Sequence, residues 1–229
     1  MVLAEELSEQ VAAIFHEKWE KRDGNVVPES ENLNLSNKAV ELDAVVLYAD
    51  IDESTALVDK MKAHFAAEVY KSFLHCAAKI IRSEDGTITA YDGDRIMAVF
   101  IGGTKNTSAV RAALKINYAR VNIINPAIKN QYPEITYELR HTVGIDASKL
   151  FVTRTGVRGA NDLVWVGRAA NHAAKLCSLS ADYPTRITSE VYEKLQNTAK
   201  VTDGRAMWEA RTWTDMGRDI YGSSWTWSV

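Results

Sequence analysis

Apolar positions fall alternately into helical stripes and short unbroken runs along the chain. Leu3, Leu7, Val11, Ile14, Phe15 and Trp19 recur near helical spacing with Glu and Lys between them. They predict an amphipathic helix that packs on the main body or on a partner. Residues 21–38 (KRDGNVVPESENLNLSNK) are polar, hold the first Gly and Pro, and read as a linker. AVVLYAD (44–50) is a β-branched apolar run too short for a helix and predicts a buried strand. It ends in the acidic, hydroxyl-rich turn DIDEST (50–55). Leu57, Met61, Phe65, Val69, Phe73 and Ile80 predict one helix over 56–82. TITAY (87–91), the turn DGD (92–94) and RIMAVF (95–100) predict a β-hairpin. Ser and Thr of GGTKNTS (102–108) can cap a helix over 108–129. YELRHTVGID (137–146) and KLFVTRT (149–155) read as a strand pair. LVWVG (163–167) reads as a strand and 168–180 as a helix. RITSEVYEKL (186–195) is a strand leading into a capped helix, and the Trp-rich tail 205–227 reads as extended.

Hairpins set among helices indicate an α+β fold, a mostly antiparallel sheet with helices on one face, rather than a doubly wound sheet. The expected organisation is an N-terminal helix and linker over 1–38 and one domain over 39–229. With 229 residues, 46% hydrophobic and 25% charged, the chain can bury a substantial core, which excludes a disordered protein. A net charge of −3 gives no basic bias and argues against a nucleic-acid partner. No apolar run approaches the ~20 residues that span a bilayer. Residues 1–10 (MVLAEELSEQ) carry Glu where a signal peptide needs apolar residues. A cytoplasmic protein without membrane attachment is expected. Cys76 and Cys177 lie outside any CxxC or Cys/His ligand pattern, so neither a disulfide nor structural zinc is expected. GxGxxG and GxxxxGK[ST] are both absent.

Two carboxylates stand out by context. Asp50 ends the first apolar strand, and Asp94 sits in the hairpin turn. In an antiparallel sheet these two places can meet at one rim, where a divalent cation would relieve their repulsion. Hard oxygen donors suit Mg²⁺ or Mn²⁺. Asp also favours turns and helix caps for its own sake, so the spacing leaves that alternative open. In GRAANHAAK (167–175), Asn171 and Lys175 share one helix face among alanines. They could hold a sugar oxygen and a phosphate, or be an ordinary surface Asn and a solvated Lys. The five histidines show no metal-ligand spacing, and His172, on another face from Asn171, reads as structural. Trp208, Trp213, Trp225 and Trp227 read as core or interface residues.

Taken together, these segments resemble the class III nucleotidyl cyclases. VVLYADIDEST (45–55) is similar to the family's strand ending in a metal Asp. GTITAYDGDRIMAVF (86–100) is similar to its Gly-Asp hairpin, and VGID (143–146) with VGRAANHAAKL (166–176) to its third motif. The resemblance spans roughly 43–227. It implies the ferredoxin-like class III cyclase catalytic domain as a head-to-tail homodimer, with two active sites between subunits. It further implies two divalent cations, Mn²⁺ or Mg²⁺, held by Asp50, Asp94 and the Ile51 carbonyl. Backbone N–H groups of residues 52–55 would hold phosphates. Asn171 would position the ribose and Lys175 would stabilise charge on the α-phosphorus. The family usually has Arg there, and Lys lacks its bidentate fork. Arg218 is the candidate for a further phosphate-binding cation.

The departures bear on the base. Purine cyclases place polar residues at the positions of Ala90 and Val164, and here both are apolar. Leaving a buried purine edge unpaired is costly. Tyr48 stands where Phe is common, and Arg95 where smaller or neutral residues are common. This pattern resembles the bacterial pyrimidine cyclases of the Pycsar antiphage systems. It implies UTP as substrate, because Arg can donate to uracil O2 or O4 but cannot accept from cytosine N4. The cyclic product would activate a separate effector that the chain does not itself bind. The competing expectations are a cytidylate cyclase, a purine (adenylate) cyclase with an altered base pocket, and a catalytically silent nucleotide-sensing module.

Overall fold

The computed structural model describes residues 2–229. The chain opens with α1 (Leu3–His16), β1 (Glu20–Asp23) and the long β2 (Lys38–Ile51), followed by α2 (Ser54–Lys60) and α3 (Ala63–Ser83). The hairpin β3 (Thr87–Asp92) and β4 (Arg95–Phe100) precedes α4 (Lys105–Ala119) and α5 (Asn125–Gln131). Then come β5 (His141–Val157), β6 (Ala160–Val166), α6 (Arg168–Cys177), β7 (Thr185–Thr188) and α7 (Ser189–Glu193). The tail forms β8 (Val201–Thr202), β9 (Arg205–Ala206), β10 (Glu209–Trp213) and β11 (Arg218–Ser223). Among the described residues no helix is long and apolar enough to cross a membrane.

The main sheet has nine strands in the order β10-β11-β7-β5-β2-β4-β3, with β1 added to β2 and β6 to β5. Only β1–β2 and β5–β7 are parallel, so the sheet is mixed although mostly antiparallel. β2 is apolar almost throughout because both of its faces are covered. Val45, Leu47, Ala49 and Ile51 pack into a core with residues of α3 and α4. Val40, Leu42, Ala44 and Val46 pack on the opposite side with Ala169, Ala170 and Ala173 of α6. The expectation of helices on one face is therefore corrected: α6 lies on the other. Its alanine stripe permits this, and so does Gly144 of β5. A Cβ at Gly144 would run into the Ala173 carbonyl oxygen and come within 2.6 Å of the Cys177 nitrogen.

Other departures have local causes. The strand pair expected over 137–155 is one continuous strand, β5. Asp146, at the end of the first expected strand, is fully buried and held by Arg168 and Thr188, so the chain runs straight on. The helix expected over 56–82 breaks at Met61 and Lys62, both extended in backbone. The helix expected over 108–129 passes through a π-turn at Arg120–Ile124 before α5. Pro126 lacks the N–H that would continue the α-helical ladder there. The segment read as a linker is part of the fold. β1 pairs with the start of β2, and Val27 and Leu33 are buried against the α6 side of the sheet. Asn37 donates to the carbonyls of Ile14 and Glu17 at 2.7 and 2.8 Å, fastening the end of α1. The apolar stripe of α1 itself buries no residue.

Candidate active site

Alternation along β2 decides what surrounds Asp50. Residues 46, 48 and 50 share the face that α6 covers, so Tyr48 and Asp50 continue the second core toward its open end. Tyr48 lies opposite Met97 of β4, and Met97 lies opposite Ala90 of β3. The three form a row across one face. The hairpin closes with a two-residue turn in which Gly93 has φ +61°, a conformation suited to glycine. The second turn residue is Asp94, whose Oδ2 is buried and has no hydrogen-bond partner. Asp94 is close enough for its charge to push the Asp50 pKa up.

Asp50 Oδ2 accepts two hydrogen bonds from Arg95, from Nη2 at 2.6 Å and from Nε at 3.0 Å. Burial is the largest influence on Asp50 and raises its pKa. Arg95 opposes that rise, and so does the Ile51 N–H. Burial likewise raises the Tyr48 pKa, against the pull of Arg95, so its phenol stays a neutral donor.

These residues fit a hard divalent cation. The unpartnered, buried Asp94 oxygen and the partly buried Asp50 carboxylate are both hard oxygen donors. Among the described residues no group of three His, Cys, Asp or Glu side chains is placed to hold a metal ion. A cation here would draw its other ligands from backbone, water or substrate oxygens, as Mg²⁺ and Mn²⁺ commonly do. The Asp52 N–H, expected to face phosphate, instead donates to the Arg140 carbonyl at 3.0 Å. Of the 52–55 set that leaves 53–55, beginning at Glu53 with φ +56°.

On α6, Asn171 and Lys175 are both exposed. Lys175 borders a cavity of about 430 Å³ together with Arg95, Ser178, Trp213, Asp215 and Met216. Its Nζ lies 3.8 Å from the Met216 sulfur. Lys175 and Arg95, the partner of Asp50, thus border one cavity within one chain, whereas the Asn171 side chain makes no hydrogen bond among the described residues. Sequence reasoning missed the part played by Trp213, Asp215 and Met216. They come from the tail, and no local pattern ties that tail to the hairpin.

Two expected residues stand elsewhere. Arg218 is ion-paired to Glu190, which also takes Arg168 Nη1 at 2.6 Å. Burial pushes the Glu190 pKa up, but its own backbone N–H and the two arginines outweigh that and hold it low. Arg218 therefore belongs to the ionic network behind α6, with the buried Asp146. Val164 pairs with Thr153, on the sheet face opposite Tyr48 and Ala90. It lines a separate cavity of about 300 Å³ with Ile14, Trp19 and Leu35. Its neighbour Trp165 is the one that faces the α6 side. His172 is structural as expected: it is buried, and its ring meets Trp213 edge-on at 5.4 Å.

The fold is that of the class III nucleotidyl cyclases. It superposes on the adenylyl cyclase CyaB from P. aeruginosa with a TM-score of 0.68 at 21% identity, covering 81% of this chain and 95% of that one. It superposes on the guanylyl cyclase Cya2 with a TM-score of 0.68 at 16% identity, covering 82% and 94%. No family model matches. In sequence the chain is 53% identical to a uridylate cyclase of Burkholderia cepacia and 50% identical to one of Xanthomonas perforans. Each match covers both proteins completely. A uridylate cyclase of Rhodovulum sp. is 36% identical over 98% of this chain and 97% of its own. The chain belongs to this family of bacterial uridylate cyclases and is a nucleotidyl cyclase.

Proposed function

We propose that the chain converts UTP to 3′,5′-cyclic UMP and pyrophosphate by attack of the ribose 3′-hydroxyl on the α-phosphorus. The observation that carries this reading is the buried, unpartnered Asp94 oxygen beside Asp50, in a chain identical to uridylate cyclases at half its positions. Asp50, Asp94 and the Ile51 carbonyl would hold two divalent cations, Mn²⁺ or Mg²⁺. When bound, these would lower the pKa of the 3′-hydroxyl and neutralise the phosphates. Lys175 supplies a positive charge at the cavity wall for the charge that builds on the α-phosphate. Asn171 offers a carboxamide to the ribose.

The base is read along the row of Tyr48, Met97 and Ala90. Ala90 places no polar group at the base edge, which suits a ring smaller than a purine. The neutral Tyr48 hydroxyl can donate. Arg95 commits Nε and Nη2 to Asp50, and its remaining N–H groups can donate to uracil O2 or O4. Val164 and Arg218 enter this reading only through a rearrangement or a second subunit.

The active assembly is a homodimer with two sites at the interface, where the exposed Asn171 and Lys175 of one subunit complete the carboxylate site of the other. The cyclic UMP formed is a second messenger for a separate effector in antiphage defence.

The deciding assay supplies each of the four nucleoside triphosphates with Mn²⁺ and measures cyclic product. Cyclic UMP should dominate. A preference for ATP or GTP would remove the base assignment, and a preference for CTP would revise the role of Arg95. Product from Asp50→Asn equal to that of the unsubstituted protein would remove the metal site. Cyclic UMP that fails to rise in infected cells would remove the defence role.

A further inference from the structure

Leu3, Leu7, Val11, Ile14 and Phe15 form one apolar stripe along α1, and every one of them is exposed, Phe15 at 85%. The helix is nevertheless anchored. Asn37 is buried and donates from Nδ2 to the carbonyls of Ile14 and Glu17, which ties the end of α1 to the start of β2. Beside that end opens the cavity of about 300 Å³ whose walls include Ile14, Trp19, Leu35 and Val164. Trp19 is braced there, its ring meeting Phe151 edge-on at 5.0 Å. Beyond the cavity the β5–β6 hairpin continues as exposed apolar surface. Val157, at 67%, and Val166, at 53%, share a face of the hairpin with Val164. Apolar surface gathered in this way marks an interaction site. It stands at the other end of β2 from Asp50, because β6 pairs with the part of β5 that runs beside Ala39 and Glu41.

We propose that this surface joins two copies of the chain, the Phe15 ring of each entering the other's cavity beside Val164. A phenyl ring takes the space of a few waters of about 30 Å³ each, so the cavity admits it. Knob and hole lie side by side on one chain, since Ile14 walls the cavity and Phe15 follows it. A two-fold axis between them seats both rings at once and closes the contact. Charge agrees with this occupant. From Leu3 to His16 the helix carries Glu5, Glu6 and Glu9 and neither Lys nor Arg. Residues 149–166 of the hairpin carry Lys149, Arg154 and Arg158 against Asp162, and Arg158 stands exposed at the tip. The same acidity sets α1 apart from helices that lie on lipid, which are rich in Lys and Arg. The contact needs neither Asp50 nor Asn171, so it can fail while the uridylate reading stands.

Two measurements on the full chain test it. In the first, a Phe15→Cys chain and a Val164→Cys chain, each also carrying Cys76→Ser, are co-expressed and oxidised, and mass spectrometry identifies the bridged pairs. A disulfide between the two kinds of chain is expected. Bridging of Phe15→Cys chains only to each other would mean that α1 packs on α1, and the proposal falls, as it does if no bridge forms. In the second, analytical ultracentrifugation follows dimer dissociation. Phe15→Ala trims an exposed ring and so spares the fold. It should raise the dissociation constant about tenfold or more. Arg158→Glu should raise it about threefold, and adding Glu5→Lys, Glu6→Lys and Glu9→Lys to the same chain should restore it. A dissociation constant unmoved by Phe15→Ala overturns the proposal whether or not cyclic UMP is made. So does a chain that stays monomeric at every concentration.

Discussion

Arg95 places two N–H groups on a single oxygen of Asp50, although the two residues lie on different strands and are 45 positions apart. The pair keeps a partly buried carboxylate ionised against the desolvation that raises its pKa. Arg95→Ala should therefore move the Asp50 pKa further up. Cation binding needs the ionised carboxylate, so the acid limb of Mn²⁺ affinity should shift to higher pH. Mn²⁺ titration followed by electron paramagnetic resonance across pH checks this. An unmoved limb would show that Arg95 does not set the charge on Asp50.

Mixing two inactive variants tests where the sites are built. If Asp50 and Asn171 of one site come from different subunits, Asp50→Ala and Asn171→Ala chains that exchange subunits regain one intact site per mixed dimer. Random pairing then restores about a quarter of the original cyclase activity. No recovery, in a sample shown by mass spectrometry to have exchanged, would place each site within one chain.

Gly144 allows α6 to lie against β5. Gly144→Ala should destabilise the fold by more than about 2 kcal/mol, because the new methyl meets backbone atoms that cannot yield like a side chain. Urea unfolding followed by circular dichroism measures it, and a loss within error would mean that α6 can lift without cost.

His141 should leave a signature in the pH dependence of stability. Burial and the charge of Arg120 push its folded pKa down to about 3, below the ordinary 6.5. Between those values the unfolded chain holds a proton that the folded chain does not. Stability from this residue is fully present above about pH 6.5 and is lost as pH falls toward 3, by about 1.4 kcal/mol per pH unit. Unfolding midpoints measured across that range should show this slope, and His141→Leu should flatten it.

Much of the site was legible because its signals are local. The apolar run that stops at Asp50 announces a strand end, and Gly93 announces the turn that carries Asp94. The spacing of Asn171 and Lys175 announces a shared helix face. What escaped the sequence depends on distant partners. Asp146 looks like the last residue of a strand until Arg168 and Thr188 are placed beside it. Arg218 looks like a loose cation until Glu190 takes it. Val164 differs from Trp165 by one step in a strand, and only the register of β6 on β5 decides which of them faces α6. The 21–38 segment is polar enough to read as a tether, yet Val27 and Leu33 suffice to seat it.

In the proposed reading, the row formed by Tyr48, Met97 and Ala90 separates the task of holding the fold from that of reading the base. Tyr48 and Met97 stand on strands with ladders on both sides, while Ala90 projects from the outermost strand, away from anything the core needs. If this row reads the base as proposed, substrate preference can be rewritten by exchanging one or two side chains on a finished scaffold. Lineages sharing this architecture are free to change their chemical vocabulary without relearning how to fold.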